Sequence, residues 1–234
     1  MKRVYTAVGN FERRSGGIGK QYPVVMLGNK EHILDFHEMM IWVTLNWRVL
    51  NRSQVETLYG KKLTETGIPK EKDCTVYIDR LLYRGLIMQG AGETDADAMY
   101  DLFGGLHIVP VVCNPFIKIA SFLKLTLFKG VPFRLAGREI FRKSAYTADE
   151  RRVLDLSKQA SLSTAELMKC VEVGARDIST DEKANDILYN DDYTTCHNLV
   201  FTAKTFYCQT RVLTAILNLY LRKQIIFMKV GAVV

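Results

Sequence analysis

The sequence predicts a mainly α protein: an extended N-terminal arm or hairpin, then a three-helix unit closed by a short strand and turn, then an all-helical C-terminal domain. Three observations carry this expectation. Apolar residues recur at three- and four-residue steps, opened by Ser, Thr or Asp with an acid three residues on, through most of the 234 residues. Extended, β-branched segments are concentrated in the first 30 residues. At 48% hydrophobic and 24% charged, the chain is rich enough in apolar side chains to fill a core, which excludes a disordered polymer.

The elements follow in order. Val4–Val8 and Tyr22–Leu27 are two extended pieces around the link Ser15-Gly16-Gly17-Ile18-Gly19, flanked by Arg13, Arg14 and Lys20. Gly19-Lys20 is not a phosphate loop, because that motif needs Gly where Arg14 stands and Ser or Thr where Gln21 stands. Asp35 with Glu38 opens a first helix through Met39, Met40, Val43, Trp47 and Leu50 to Asn51. Ser53 with Glu56 opens a second, stopped by Thr66-Gly67-Ile68-Pro69. A third runs from Lys70 to Leu86. On a helical wheel its Cys74, Tyr77, Ile78, Leu81 and Leu82 share one side, and Lys72, Thr75, Val76, Asp79, Arg80 and Tyr83 the other. Residues 84–94 read as a helix end running into a strand with a Gly-bearing turn, Thr94 opens a further amphipathic piece, and Leu106–Val112 is a buried strand.

Beyond that point helices are expected throughout. Pro115 starts one to Phe128, Thr147 with Glu150 opens one to Gln159, Ser163 with Glu166 one to Val173, and Ser179 with Glu182 one to Tyr189. The last and longest runs from about Leu199 to Met228. The expected divisions are an arm over 1–34, a unit over 35–112 and a helical domain over 113–234. No repeat of fixed length is visible, which disfavours a solenoid.

Net charge is +7, unevenly spread: +5 over residues 1–90, −4 over 91–112, +6 over 113–145 and +5 over 201–234. Basic blocks separated by an acidic seam suit a polyanion. The five Cys, at 74, 113, 170, 196 and 208, form no C-x-x-C pair, so a reduced compartment without zinc or disulfide framework is expected. Met1-Lys2-Arg3 leads into no apolar signal segment, and Val212–Leu221 is too short to span a bilayer, so a cytoplasmic location off the membrane is expected. His32, His37, His107 and His197 are scattered, and neither they nor Cys196-His197 beside Asp191-Asp192 make a metal or triad spacing. Neither an enzyme nor a cofactor is expected.

The segment 35–94 resembles the winged helix-turn-helix module of bacterial transcription regulators. The resemblance lies in a long first helix, a short capped second, the turn Thr66-Gly67-Ile68-Pro69, a basic third helix, and the phrase Leu81-Leu82-Tyr83-Arg84-Gly85-Leu86-Ile87, similar to the junction between recognition helix and wing. It implies that residues 70–84 lie in a DNA major groove, with Lys72, Thr75 and Val76 against base edges and Lys61, Lys62, Lys70 and Arg80 nearer phosphate. Arg13 and Arg14 become candidates for a minor-groove arm. Double-stranded DNA is then the expected partner. A homodimer seamed by the apolar last helix follows from paired half-sites, and a protein or small-molecule effector is a further possible partner. Thr147–Val173 reads either as a second helix-turn-helix or as a plain helix pair. Against DNA stand Asp73, Asp79 and the acidic wing Glu93, Asp95 and Asp97, which fit an adaptor that docks a basic protein.

Overall fold

The computed structural model describes residues 1–15, 21–111, 145–191 and 193–229. The expected helix over 115–128 and the basic stretch 129–143 lie outside the described residues. Of the described residues, helix accounts for 51% and strand for 20%, and their strands form three small antiparallel sheets. The mainly α class with an all-helical second half is therefore corrected, because a two-stranded sheet joins parts of the chain on either side of residues 112–144.

The first half begins with β1 (Lys2–Ala7), then a three-stranded antiparallel sheet of β2 (Asn10–Ser15), β3 (Gln21–Leu27) and β4 (Lys30–Ile33). Three helices follow, α1 (Phe36–Leu45), α2 (Arg52–Thr66) and α3 (Cys74–Tyr83), and then β5 (Ile87–Gly92). Asp35 and Glu38 form the expected capping box on α1. That helix stops at Leu45, six residues early, where Trp47 takes a left-handed φ of 56° that no helix tolerates. α2 is capped by Asn51 with Gln54 instead of Ser53 with Glu56. α3 starts only at Cys74, so Lys70 and Lys72 precede it in a loop.

The expected wing is absent at β5. This strand pairs with β1 from Lys2↔Gly92 to Ala7↔Ile87, and the chain then passes directly into α4 (Asp95–Phe103). Gly90 and Gly92 make that packing possible. A Cβ at Gly90 would lie 2.2 Å from the Ala98 carbonyl oxygen, and one at Gly92 2.4 Å from the Ala98 nitrogen, so α4 rests on bare backbone.

The second half contains β6 (His107–Pro110), α5 (Ala148–Gln159), α6 (Thr164–Glu172), α7 (Asp181–Leu188), α8 (Cys196–Thr202) with a 3-10 turn at Ala203–Thr205, α9 (Gln209–Leu221) and β7 (Ile225–Met228). The single helix expected over 199–228 is broken twice. The 3-10 turn and Phe206 interrupt it, and Lys223 at φ 61° ends α9 and releases Ile225-Ile226-Phe227-Met228 to pair with β6.

The two halves repeat one plan. A strand (β1 or β6) is followed, after an intervening stretch, by a capped helix (α1 or α5), by a bridge back to that strand at Leu50 or Ser163, and by a second capped helix (α2 or α6). A third helix (α3 or α9) then turns into a strand that closes the sheet (β5 or β7). From Asp35 to Tyr59 the counterpart lies 112 residues on, which matches the capping boxes Asp35/Glu38 with Thr147/Glu150 and Asn51/Gln54 with Ser163/Glu166. In the third helices the offset is 138. It matches buried Ile78, Leu81 and Ile87 with buried Ile216, Leu219 and Ile225. α7 and α8 are the insertion that separates the two offsets, and they hide the repeat from a search for a constant period.

Packing divides the chain near residue 93, except that Val8 joins the second core. One core runs from Tyr5 through Ile41, Trp42, Val55, Tyr59, Tyr77 and Leu81 to Ile87; the other gathers Tyr100, Phe103, Val153, Leu167, Ile216 and Phe227. The expected arm 1–34 contributes Tyr5, Val25 and Leu34 to the first core, and the expected unit 35–112 yields Tyr100 through Ile108 to the second.

Candidate nucleic-acid interface

α3 is the helix on which the resemblance places base contact. Its apolar side, Cys74, Tyr77, Ile78 and Leu81, is buried as the wheel requires, and Val76, Asp79, Arg80 and Tyr83 face solvent. Val76 is 41% and Tyr83 94% exposed, so none of the described residues covers this side.

The expected contact residues divide into three groups. Lys70 and Thr75 are brought together at the N-terminal end of α3. The Lys70 ammonium lies 2.7 Å from Asp73 Oδ1, and Thr75 Oγ1 accepts from Arg52, whose Nε is 3.1 Å from Glu56. The hydrogen bond between Lys70 and Asp73 raises the lysine pKa and lowers that of the carboxyl. Lys72 is exposed beside them.

Arg80 belongs to a second group, turned toward α1. Its Nη1 lies 3.1 Å from Asp35 Oδ2 and its Nη2 3.3 Å from Glu38 Oε1. Glu38 is only 1% exposed and also receives Arg84 Nη1 at 2.8 Å. A buried carboxylate needs such partners, so Arg80 is committed to the fold. The third group is dispersed. Lys61 pairs with Glu65 at 3.9 Å, and Lys62 is half-buried, its pKa lowered first by desolvation and then by Arg48. Arg13 and Arg14 lie in β2, in register with Pro23 and Tyr22, and Arg14 bridges Glu12 at 3.3 Å and Glu31 at 3.0 Å. They are strand residues of a sheet and not a free arm.

The second half carries the same ion pair. Arg222 Nη1 lies 3.2 Å from Glu150 Oε2, a carboxylate with no exposure, and reaches the Ala145 carbonyl, as Arg84 reaches that of Ile33. α9 therefore occupies the place of α3. Its apolar side, Val212, Leu213, Ala215, Ile216, Leu219 and Tyr220, is buried in the chain's own core and is not the expected dimer seam. Thr210, Arg211 and Thr214 on its other side are exposed. Sequence reading missed this face, although Leu219-Tyr220-Leu221-Arg222-Lys223-Gln224-Ile225 echoes Leu81-Leu82-Tyr83-Arg84-Gly85-Leu86-Ile87.

Among the described residues, no three His, Cys, Asp or Glu side chains gather into a metal-binding group, and no helix is long and apolar enough to cross a membrane. Comparison of the chain with protein-family models, with curated proteins and with solved structures finds no match.

Proposed function

We propose that this protein is a cytoplasmic regulator of transcription that binds double-stranded DNA through a helix-turn-helix module similar to that of bacterial winged regulators but without the wing after β5. The observation that supports this reading most is the α2–α3 pair. α3 anchors by one side and leaves the other uncovered by the described residues, with Lys70 and Lys72 at its N-terminal end, the end that meets base edges in helix-turn-helix docking. In this reading Lys70, Lys72, Thr75 and Val76 are the contacts, whereas Arg80 holds Glu38. A homodimer would have to form away from the apolar side of α9.

Fluorescence anisotropy with a random duplex at low salt tests this reading. Lys70→Glu with Lys72→Glu should weaken binding at least tenfold and lower the slope of log affinity against log salt by about 2, the number of cations lost. An unchanged affinity and slope would remove α3 from the interface.

A second reading, a protein-binding adaptor, is favoured by one observation. Glu93, Asp95 and Asp97 stand exposed where β5 meets α4, in the position that a phosphate-binding wing would occupy. A basic partner captured through these carboxylates, with no duplex bound at low salt, would select it.

A further inference from the structure

We propose that α9 is a second duplex-contacting helix and that its outward face is the one that distinguishes base sequence. This rests on the duplex-binding reading above. Position is the first support: α9 stands to α5, β6 and β7 as α3 stands to α1, β1 and β5, with Arg222 on Glu150 repeating Arg84 on Glu38.

Chemistry is the second. From Phe201 to Lys229 the chain carries Lys204, Arg211, Arg222, Lys223 and Lys229 and no carboxylate, a charge complementary to a polyphosphate. The matching stretch of the first half, residues 63–91, carries Glu65, Glu71, Asp73 and Asp79 among its four cations, Lys70, Lys72, Arg80 and Arg84. Base edges are read by side chains that donate and accept in fixed pairs, Asn or Gln on adenine, Arg on guanine, and a threonine methyl on thymine. α9 presents members of that set as exposed Thr210, Arg211 and Thr214 with half-buried Gln209 and Asn218, beside Leu221, which is 49% exposed. Among the described residues, no hydrogen bond occupies the side chains of Gln209, Thr210 or Asn218, and Thr214 gives only its proton, to the Thr210 carbonyl at 2.7 Å. The outward face of α3 holds Val76, Asp79 and Tyr83 instead, with Arg80 committed to Glu38 and the half-buried Thr75 accepting from Arg52. Among the described residues, Asp149, Asp95 and Glu172 border the α9 face: Asp149 lies 4.0 Å from Arg211, Asp95 is 2.9 Å from Lys2, and Glu172 accepts from the Cys208 backbone N–H at 3.0 Å.

The test starts with selection of a preferred duplex from a random pool by the full chain. Anisotropy then compares the selected and a scrambled duplex for the native chain, for Thr214→Ala with Asn218→Ala, and for Lys72→Ala with Val76→Ala. The α9 pair should cut the selected-to-scrambled affinity ratio about tenfold or more and leave scrambled binding and the thermal midpoint unchanged. Arg211→Gln should also cut the ratio while lowering both affinities. A ratio that survives the α9 changes, or falls only with the α3 pair, overturns the inference and leaves duplex binding standing. A native chain that selects no sequence but still binds duplex overturns the inference alone. A native chain that binds no duplex at low salt overturns the underlying reading as well.

Discussion

The phenol of Tyr220 and the hydroxyl of Thr6 lie 2.7 Å apart, buried, across 214 residues of chain. Thr6 donates to the Arg48 carbonyl at 2.9 Å, so the phenol donates to Thr6 and accepts from the Trp47 backbone N–H at 2.9 Å. One hydroxyl from α9 thus meets β1 and the turn after α1. Around it, Trp47 Nε1 donates to the Ile225 carbonyl at 3.3 Å, Gly9 N donates to that of Phe227 at 2.9 Å, and the Lys223 ammonium lies 5.2 Å from the centre of the Trp47 ring.

Removing that hydroxyl leaves Thr6 Oγ1 without a donor and the Trp47 amide without an acceptor. Tyr220→Phe should therefore lower stability by about 1–3 kcal/mol with little change in packing. Urea unfolding would show it as a lower midpoint at unchanged slope.

Alkaline pH should act through the same side chain. Burial pushes the Tyr220 phenol up to about 12, and that of Tyr100 likewise, against an ordinary value of 10.0. The folded state holds these protons more tightly, so their contribution is complete below pH 10, falls as the pH rises, and is gone near 12. Unfolding midpoints measured from pH 9 to 12 should drop, and the drop should be shallower in Tyr220→Phe than in the native chain.

Glu38 and Glu150 are buried carboxylates whose compensating charges come from arginines, Arg80 with Arg84 and Arg222 respectively. Arg222→Ala should cost about 3–5 kcal/mol, because it strands Glu150 in the interior, and Arg84→Ala should cost less, because Arg80 still faces Glu38. Losses below about 1 kcal/mol in thermal or urea unfolding would show that the pairs are dispensable.

Burial also pushes up the thiols of Cys74 and Cys208, to about 12, and of Cys170, to about 11, while Cys196 is exposed. In a Cys113→Ser background, Ellman's reagent should label one thiol quickly in the native protein and the other three only on unfolding. Cys196→Ser should abolish the fast phase.

Gly90→Ala would drive a methyl group into the Ala98 carbonyl and the Leu102 backbone, which are parts of a helix and cannot swing aside. A loss of at least about 1–3 kcal/mol is expected on unfolding. At Lys223, whose left-handed backbone matches that of Gly85, glycine should instead stabilise by about 0.5–1 kcal/mol.

Local chemistry made much of this fold legible. The pairs Asp35/Glu38, Thr147/Glu150 and Ser163/Glu166 mark three helix starts, because a capping box needs only four residues. Pairing between distant segments was not legible. Nothing near Lys2 announces Gly92, nor does anything near His107 announce Met228, so the arm and the all-helical second half were misread. Within the candidate interface, the wheel placed Val76 and Arg80 outward correctly. It could not show that Arg80 folds back onto Glu38, since that partner belongs to another helix.

The Tyr220 hydroxyl has a practical consequence for anyone dissecting this chain. It draws on both cores at once, and Val4, Leu27, Trp47 and Met88 of the first half pack against the second core. Cutting the gene after codon 94 would strip the cover from those side chains and leave a sticky, aggregation-prone fragment. Intact, the two halves should melt in a single calorimetric transition.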